Sequence, residues 1–136
     1  MFDFENGSRA MLELCMFADG TLWNEEISAV GPNGKVECRL PGPQRFWPQN
    51  LGPSPHSQLS TFPRSPKNPQ TQDVLVDEAL IAAGDHHGST FFQHKKFLQV
   101  ISGQGAVEVT PLDGKKAVRM GLLAQKSAIT HQTIEF

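Results

Sequence analysis

Hydrophobic and polar residues alternate through the first third of the chain with the two-residue period of β-strands. An Asn6-Gly7 turn precedes a long predicted strand from Ser8 to Ala18. Residues 25–30 and 35–40 flank the sequence Gly-Pro-Asn-Gly, which predicts a hairpin. A further short strand is predicted over residues 73–77.

The hydrophobic period becomes helical in the second half of the chain. A helix is predicted from Ser89 or Thr90 to about Ile101, where Gly103 stops it. A second helix is predicted from about Leu112 to Thr130, followed by a terminal strand over residues 133–136. Strands followed by helices predict an α+β fold with an open, largely antiparallel sheet and two helices packed on one face.

Prolines are concentrated between these two halves. Eight of the ten prolines lie between Pro41 and Pro69, in a stretch without Asp or Glu. Proline removes a backbone donor and fixes φ, so residues 41–71 are predicted to form a long loop with neither a helix nor a central strand. A loop of this length is expected to be disordered or to form a binding surface. The preferred interpretation is an insertion beside an active-site mouth or a subunit interface.

The second face of the long predicted strand is also apolar. Met11, Cys15 and Phe17 occupy odd positions, on the face opposite Leu12 and Leu14. An uncovered apolar face of this kind favours a contact with a second subunit, and we expect a homo-oligomer formed through this outer sheet face. The alternative is that the Pro-rich loop folds back over it.

Length and charge restrict the function classes. The chain has 136 residues, enough for one domain, and no G-x-G-x-x-G motif for binding a dinucleotide. A net charge of −2 favours neither nucleic acid nor an anionic membrane as a partner, and no stretch is apolar enough to span a bilayer. Cys15 and Cys38 do not form a disulfide framework, and no secretory signal is evident, so a cytoplasmic location is expected.

Several motifs together resemble a known enzyme family. They include His-His-Gly before the first long helix, Val107-Glu108-Val109 after it, and Asp113-Gly114 at the start of the last helix. The segments FENGSRAMLEL and ISAVGPNGKVEC are similar to a strand and a hairpin of the same family. In order and spacing, these features resemble the C-terminal domain of Gfo/Idh/MocA oxidoreductases, the glucose-fructose oxidoreductase and inositol dehydrogenase group, over nearly the whole chain.

The resemblance implies an NAD(P)-dependent enzyme that acts on a sugar, cyclitol or related polyol. In that family an N-terminal Rossmann domain binds NAD or NADP, and the C-terminal domain shapes the substrate cavity and forms oligomers. Here the glycine-rich turn, the Glu-Lys-Pro segment and the Asp-x-x-x-His pair are missing. The chain is therefore expected to be a single C-terminal domain, residues 1–136, without its Rossmann domain, cofactor site or catalytic residues. The alternative is a non-catalytic oligomeric or accessory subunit.

Asp85, His86 and His87 are the candidate substrate-binding residues. They precede a predicted helix N-terminus, where free N–H groups and the helix dipole attract anions, and the histidine donors suit a sugar hydroxyl or a carboxylate. The alternative is a capping loop with solvated histidines. A metal site that also uses His94 is rejected, because adjacent histidines rarely reach one ion and His94 falls within an apolar helical stripe, where a buried core histidine is expected.

Overall fold

The structure is a computed structural model that describes residues 1–18, 20–84 and 86–136. The chain forms two compact units, residues 1–91 and 92–136. Its described residues combine antiparallel sheets with three α-helices, so the predicted α+β class is confirmed.

The first unit contains two sheets. β1 (Phe2–Asp3) and β2 (Arg9–Ala10) form a small antiparallel hairpin. The main sheet is antiparallel, with its strands side by side in chain order. Its members are β3 (Trp23–Gly31), β4 (Gly34–Pro41), β5 (Ser57–Pro63) and β6 (Gln70–Val74).

The register of the main sheet separates its side chains by chemistry. Ile27, Cys38 and Leu59 are cross-strand partners and therefore lie on one face. The opposite face carries the row Glu26, Arg39 and Gln58, where Arg39 Nε lies 3.2 Å from Glu26 Oε2. One face of the sheet is thus predominantly apolar and the other is charged and polar, as the alternation along β4 predicts.

The β3–β4 hairpin confirms the prediction from the Gly-Pro-Asn-Gly sequence. Gly31 pairs with Gly34, which leaves Pro32 and Asn33 as a two-residue turn. Gly34 has φ 146°, and a Cβ atom there would lie 2.3 Å from the Phe62 carbonyl oxygen. This position therefore requires glycine both for its backbone conformation and for the close approach of β5.

The long strand predicted from Ser8 to Ala18 is wrong beyond its first residues. The Asn6-Gly7 turn pairs this segment with β1, which is only two residues long, so the pairing ends at Ala10. A strand needs a partner for its backbone groups, and residues 11–18 form no strand. Met11, Cys15 and Phe17 therefore do not lie on a sheet face, although all three are exposed. Self-association through them stays a prediction.

The prediction that residues 41–71 hold no central strand is also wrong. β5 lies between β4 and β6, in the middle of the main sheet. Residues 56–62 contain no proline, so their backbone donors are available for both ladders, and Pro63 stands at the last position of the strand. The irregular part is confined to residues 42–56 and 64–69, and the first of these contains two short 3-10 helices.

Strand β6 starts and ends earlier than the predicted strand 73–77. Asp77 instead caps the helix α1 (Glu78–Ala83), which the sequence analysis missed, by accepting a hydrogen bond from the Ala79 amide at 2.8 Å. A short left-handed turn, His86–Gly88, then leads directly into α2 (Ser89–Ile101), whose predicted bounds are confirmed.

The second unit contains most of α2 and all of α3 (Pro111–Thr130), which starts one residue before its predicted position. Thr110 and Asp113 form a capping box at its N-terminus. The predicted terminal strand is wrong, because residues 133–136 form no strand and Arg119 lies 4.6 Å from the centre of the Phe136 ring. The packing of two helices on one sheet face stays a prediction.

The described residues enclose very little. None of their hydrophobic side chains, apart from Pro41, falls in the buried class, and the buried polar side chains are Ser57 and Ser60. None of the helices described is long and apolar enough to cross a membrane.

Candidate functional site

The candidate site lies at one end of the main sheet. Trp23 at the start of β3 pairs with Pro41 at the end of β4, and β5 begins beside them at Ser57. The turn His86–Gly88 contacts both β4 and α1. The sheet therefore positions the two predicted histidines, although they are distant from its strands in the sequence.

The backbone of this turn is unusual. His86, His87 and Gly88 have φ angles of 58°, 51° and 82°, so three successive residues are left-handed. Residues other than glycine seldom adopt this conformation, which costs of the order of 1–3 kcal/mol and is concentrated at binding and active sites. The turn is thus held in a costly conformation by its surroundings, and this points to a role for the side chains that it presents.

His86 is tied to the sheet by a hydrogen-bonding contact with a carboxylate. Its Nδ1 atom contacts Glu25 Oε1 on β3, across 61 residues of sequence. The side chains remain 57% and 39% exposed, so a ligand can reach both groups. The pair fixes the orientation of an imidazole at the surface.

His87 has a different environment. It is half-buried, and its Nε2 atom is enclosed and has no hydrogen-bond partner among the described residues. Burial lowers the pKa of His87, and the nearby charge of His56 lowers it further. The His87 imidazole is therefore neutral near pH 7, and its enclosed Nε2 carries an unsatisfied hydrogen-bonding position.

The structure thus brings together two of the three predicted substrate-binding residues, and Asp85 lies outside the described residues. Sequence reasoning missed Glu25 and His56, which the fold places near the turn. Nothing in their local sequence signals this, because Glu25 lies on a strand of alternating pattern and His56 lies within the Pro-rich stretch. A topology that brings the start of β3 and β5 to one edge was needed to find them.

The rejection of a metal site stays a prediction, because Asp85, one of the potential ligands, lies outside the described residues. No group of three or more potential ligands that could hold an ion occurs within the described ranges. His94 is exposed on α2, so the prediction of a buried core histidine is wrong.

The structure also contains a shallow depression, and one of its lining residues, Gly84, precedes the His86–Gly88 turn by two positions in the sequence. It is lined by residues of the first 3-10 helix and of the C-terminal end of α1, including Gln44, Ile81 and Gly84. The Pro-rich segment therefore contributes a wall of this depression through Gln44. Trp47 stabilises that segment by donating a hydrogen bond from Nε1 to the Gly52 carbonyl at 3.0 Å.

Comparison with known proteins adds no family to this description. No protein-family model matches the chain, and no curated protein matches it. The resemblance to Gfo/Idh/MocA oxidoreductases thus stays a prediction from the residues and motifs alone.

Proposed function

We propose that this chain is the substrate-side domain of an NAD(P)-dependent oxidoreductase of the Gfo/Idh/MocA type, which acts on a sugar, cyclitol or related polyol. The full enzyme would transfer a hydride between the nicotinamide of NAD or NADP and a carbon of the substrate. The chain would supply part of the substrate cavity and an oligomer interface. We assign it a cytoplasmic location.

The observation that carries the proposal is the strained turn His86–Gly88. It presents an exposed imidazole held by Glu25 and a half-buried neutral imidazole from His87. The exposed His86 imidazole, held in one orientation by Glu25, can form a hydrogen bond with a hydroxyl group of a ligand. A capping loop alone would need neither the left-handed histidines nor the contact with β3.

The lack of an enclosed core in the described residues supports a role within a larger assembly. None of their hydrophobic side chains is buried, except for the proline that ends β4. A self-sufficient binding protein is expected to enclose a pocket lined by apolar groups. A half-pocket completed by a second domain or subunit fits these observations better.

The test is a titration of the ¹⁵N-labelled full chain with myo-inositol or glucose, followed by NMR. We expect the amides of His86–Gly88 to shift with at least one polyol at tens of millimolar, roughly the weak affinity of an open half-pocket. Amides of residues 133–136 serve as the internal control and should not move. NADH alone should leave both sets unchanged.

Two results would contradict the proposal. One is the absence of any chemical-shift change at the His86–Gly88 amides with every polyol tested. The other is direct binding of NADH, which would mean that a cofactor site exists within these residues.

A second candidate function is a non-catalytic oligomeric subunit. The observation that favours it is the run of exposed apolar side chains between residues 11 and 17, which are 74–92% exposed at Met11, Leu12, Leu14, Met16 and Phe17. Such a run suits a permanent protein contact. A chain that self-associates and ignores polyols would favour this candidate over the oxidoreductase.

A further inference from the structure

We infer that Glu25 is a positioning residue, which fixes the His86 imidazole in the tautomer that accepts a hydrogen bond from a substrate hydroxyl. This inference rests on the proposed function for the identity of the ligand. The arrangement of the two side chains is an observation independent of it.

The contact with Glu25 determines which ring nitrogen of His86 carries the proton. His86 Nδ1 contacts Glu25 Oε1, and an ionised carboxylate can only accept hydrogen bonds. Nδ1 must therefore carry a proton. In the neutral imidazole, this leaves Nε2 as an acceptor with a free lone pair.

The His86 ring is accessible to a ligand at the protein surface. The His86 side chain is 57% exposed, so its ring remains accessible although Nδ1 is engaged. Its neighbour His87 lies on the same turn with an enclosed Nε2. Among the described residues, Glu25 from β3 contacts His86, and His56 before β5 acts electrostatically on His87.

Glu25 also affects how strongly His86 Nε2 accepts a hydrogen bond. A hydroxyl that donates to His86 Nε2 is oriented by the ring, and the carboxylate on the other side of the ring makes Nε2 a stronger acceptor. Glu25 does not touch the substrate in this arrangement. It acts through His86, in the same way that a carboxylate orients an imidazole in other polar networks.

Glu26 provides a matched control in the adjacent position. The cross-strand register places it on the opposite face of β3, where its carboxylate lies 3.2 Å from Arg39 Nε. Removing its carboxylate changes the charge of the strand by the same amount as removing that of Glu25. It leaves the contact with His86 intact.

The experiment records long-range ¹H–¹⁵N spectra of the histidine rings in the full chain near pH 8.5, about two units above the ordinary histidine pKa. Wild-type His86 should show a protonated Nδ1 and an unprotonated Nε2. Glu25→Ala should move the proton toward Nε2, and Glu26→Ala should leave the spectrum unchanged. In the same samples, Glu25→Ala should weaken myo-inositol binding severalfold.

A wild-type His86 protonated on Nε2 would overturn the inference, and this measurement needs no variant to fold. An unchanged tautomer in a folded Glu25→Ala chain would also overturn it. If the tautomers behave as expected and no polyol moves the turn, the positioning by Glu25 stands and the proposed function fails. The two claims can therefore fail separately.

Discussion

His87 combines a left-handed backbone with a half-buried ring, and both properties shape what it can do. Burial disfavours the charged imidazole, so the fold holds His87 neutral at a pH where a solvated histidine is partly protonated. The cost of the left-handed φ falls on the same residue. Two determinants of stability, the burial of the ring and the backbone conformation, thus act at one residue.

The pKa shift predicts a pH dependence of stability. The ordinary histidine value is 6.5, and the folded pKa of His87 is lower, so the unfolded chain binds more protons between the two values. The contribution of His87 to the free energy of unfolding is therefore at its full value above pH 6.5. It declines as the pH falls toward the folded pKa. His87→Asn keeps a residue that tolerates left-handed φ and should flatten this decline, measured by urea unfolding between about pH 8 and 5.5.

His131 supplies the control for this variant. It is also left-handed, with φ 55°, but it lies exposed at the C-terminus of α3. His131→Asn should keep the pH dependence of the wild type. An unaltered decline in His87→Asn would mean that burial of this ring does not govern the acid response.

At the scale of elements, the β3–β4 hairpin depends on one glycine. Gly34→Ala would place a Cβ atom 2.3 Å from the Phe62 carbonyl oxygen, on a backbone with φ 146°. Because both the strain and the collision fall on backbone atoms, we expect the variant to lose about 1–3 kcal/mol of unfolding free energy. Urea unfolding followed by circular dichroism measures this loss.

Gly31 lies directly across the same turn and is the matched control. A Cβ atom there meets nothing within 4 Å, and its φ is not positive. Gly31→Ala should change the unfolding free energy by less than about 0.5 kcal/mol. Equal losses in the two variants would show that the close approach of β5 does not require glycine at position 34.

The elements differ in how far their sequences determine them. The hairpin and α2 and α3 carry local signals, namely turn glycines, caps and a helical period, and these were predicted within a few residues. β5 was missed because a central strand depends on partners far away in the sequence, and the prolines around it concealed a proline-free core. The prediction of a strand from Ser8 to Ala18 was wrong because alternation indicates a strand only where a partner strand exists, and most of this segment has none in the described structure.

The candidate site was predictable in part. The histidines of the turn stand out in the sequence, but their left-handed backbone and the contact with Glu25 follow from the topology of the sheet. A carboxylate 61 residues away carries no local mark. In a site assembled from strand ends and loops, the candidate binding residues are therefore easier to recognise in the sequence than the residues that hold them in place.

At the scale of the whole molecule, the described chain exposes apolar groups that a folded monomer normally covers. The run between Met11 and Phe17 is the most concentrated example, with Phe17 92% exposed. The net charge is only −2, so repulsion between copies is weak. These observations favour a second copy of the chain as the partner that packs against residues 11–17. This interface would not involve the sheet face that the alternation predicted.

We therefore expect the purified chain to self-associate at tens of micromolar, roughly the range in which an interface of standard size persists. Phe17→Ser should weaken association about tenfold or more, since a central aromatic side chain often contributes at least ~2 kcal/mol to an interface. Leu75→Ser removes a side chain that is 73% exposed and lies outside the run, so it should associate like the wild type. Light scattering over a concentration series measures all three chains. A strict monomer, or equal weakening by both substitutions, would exclude the run as the interface and leave its cover to a different domain.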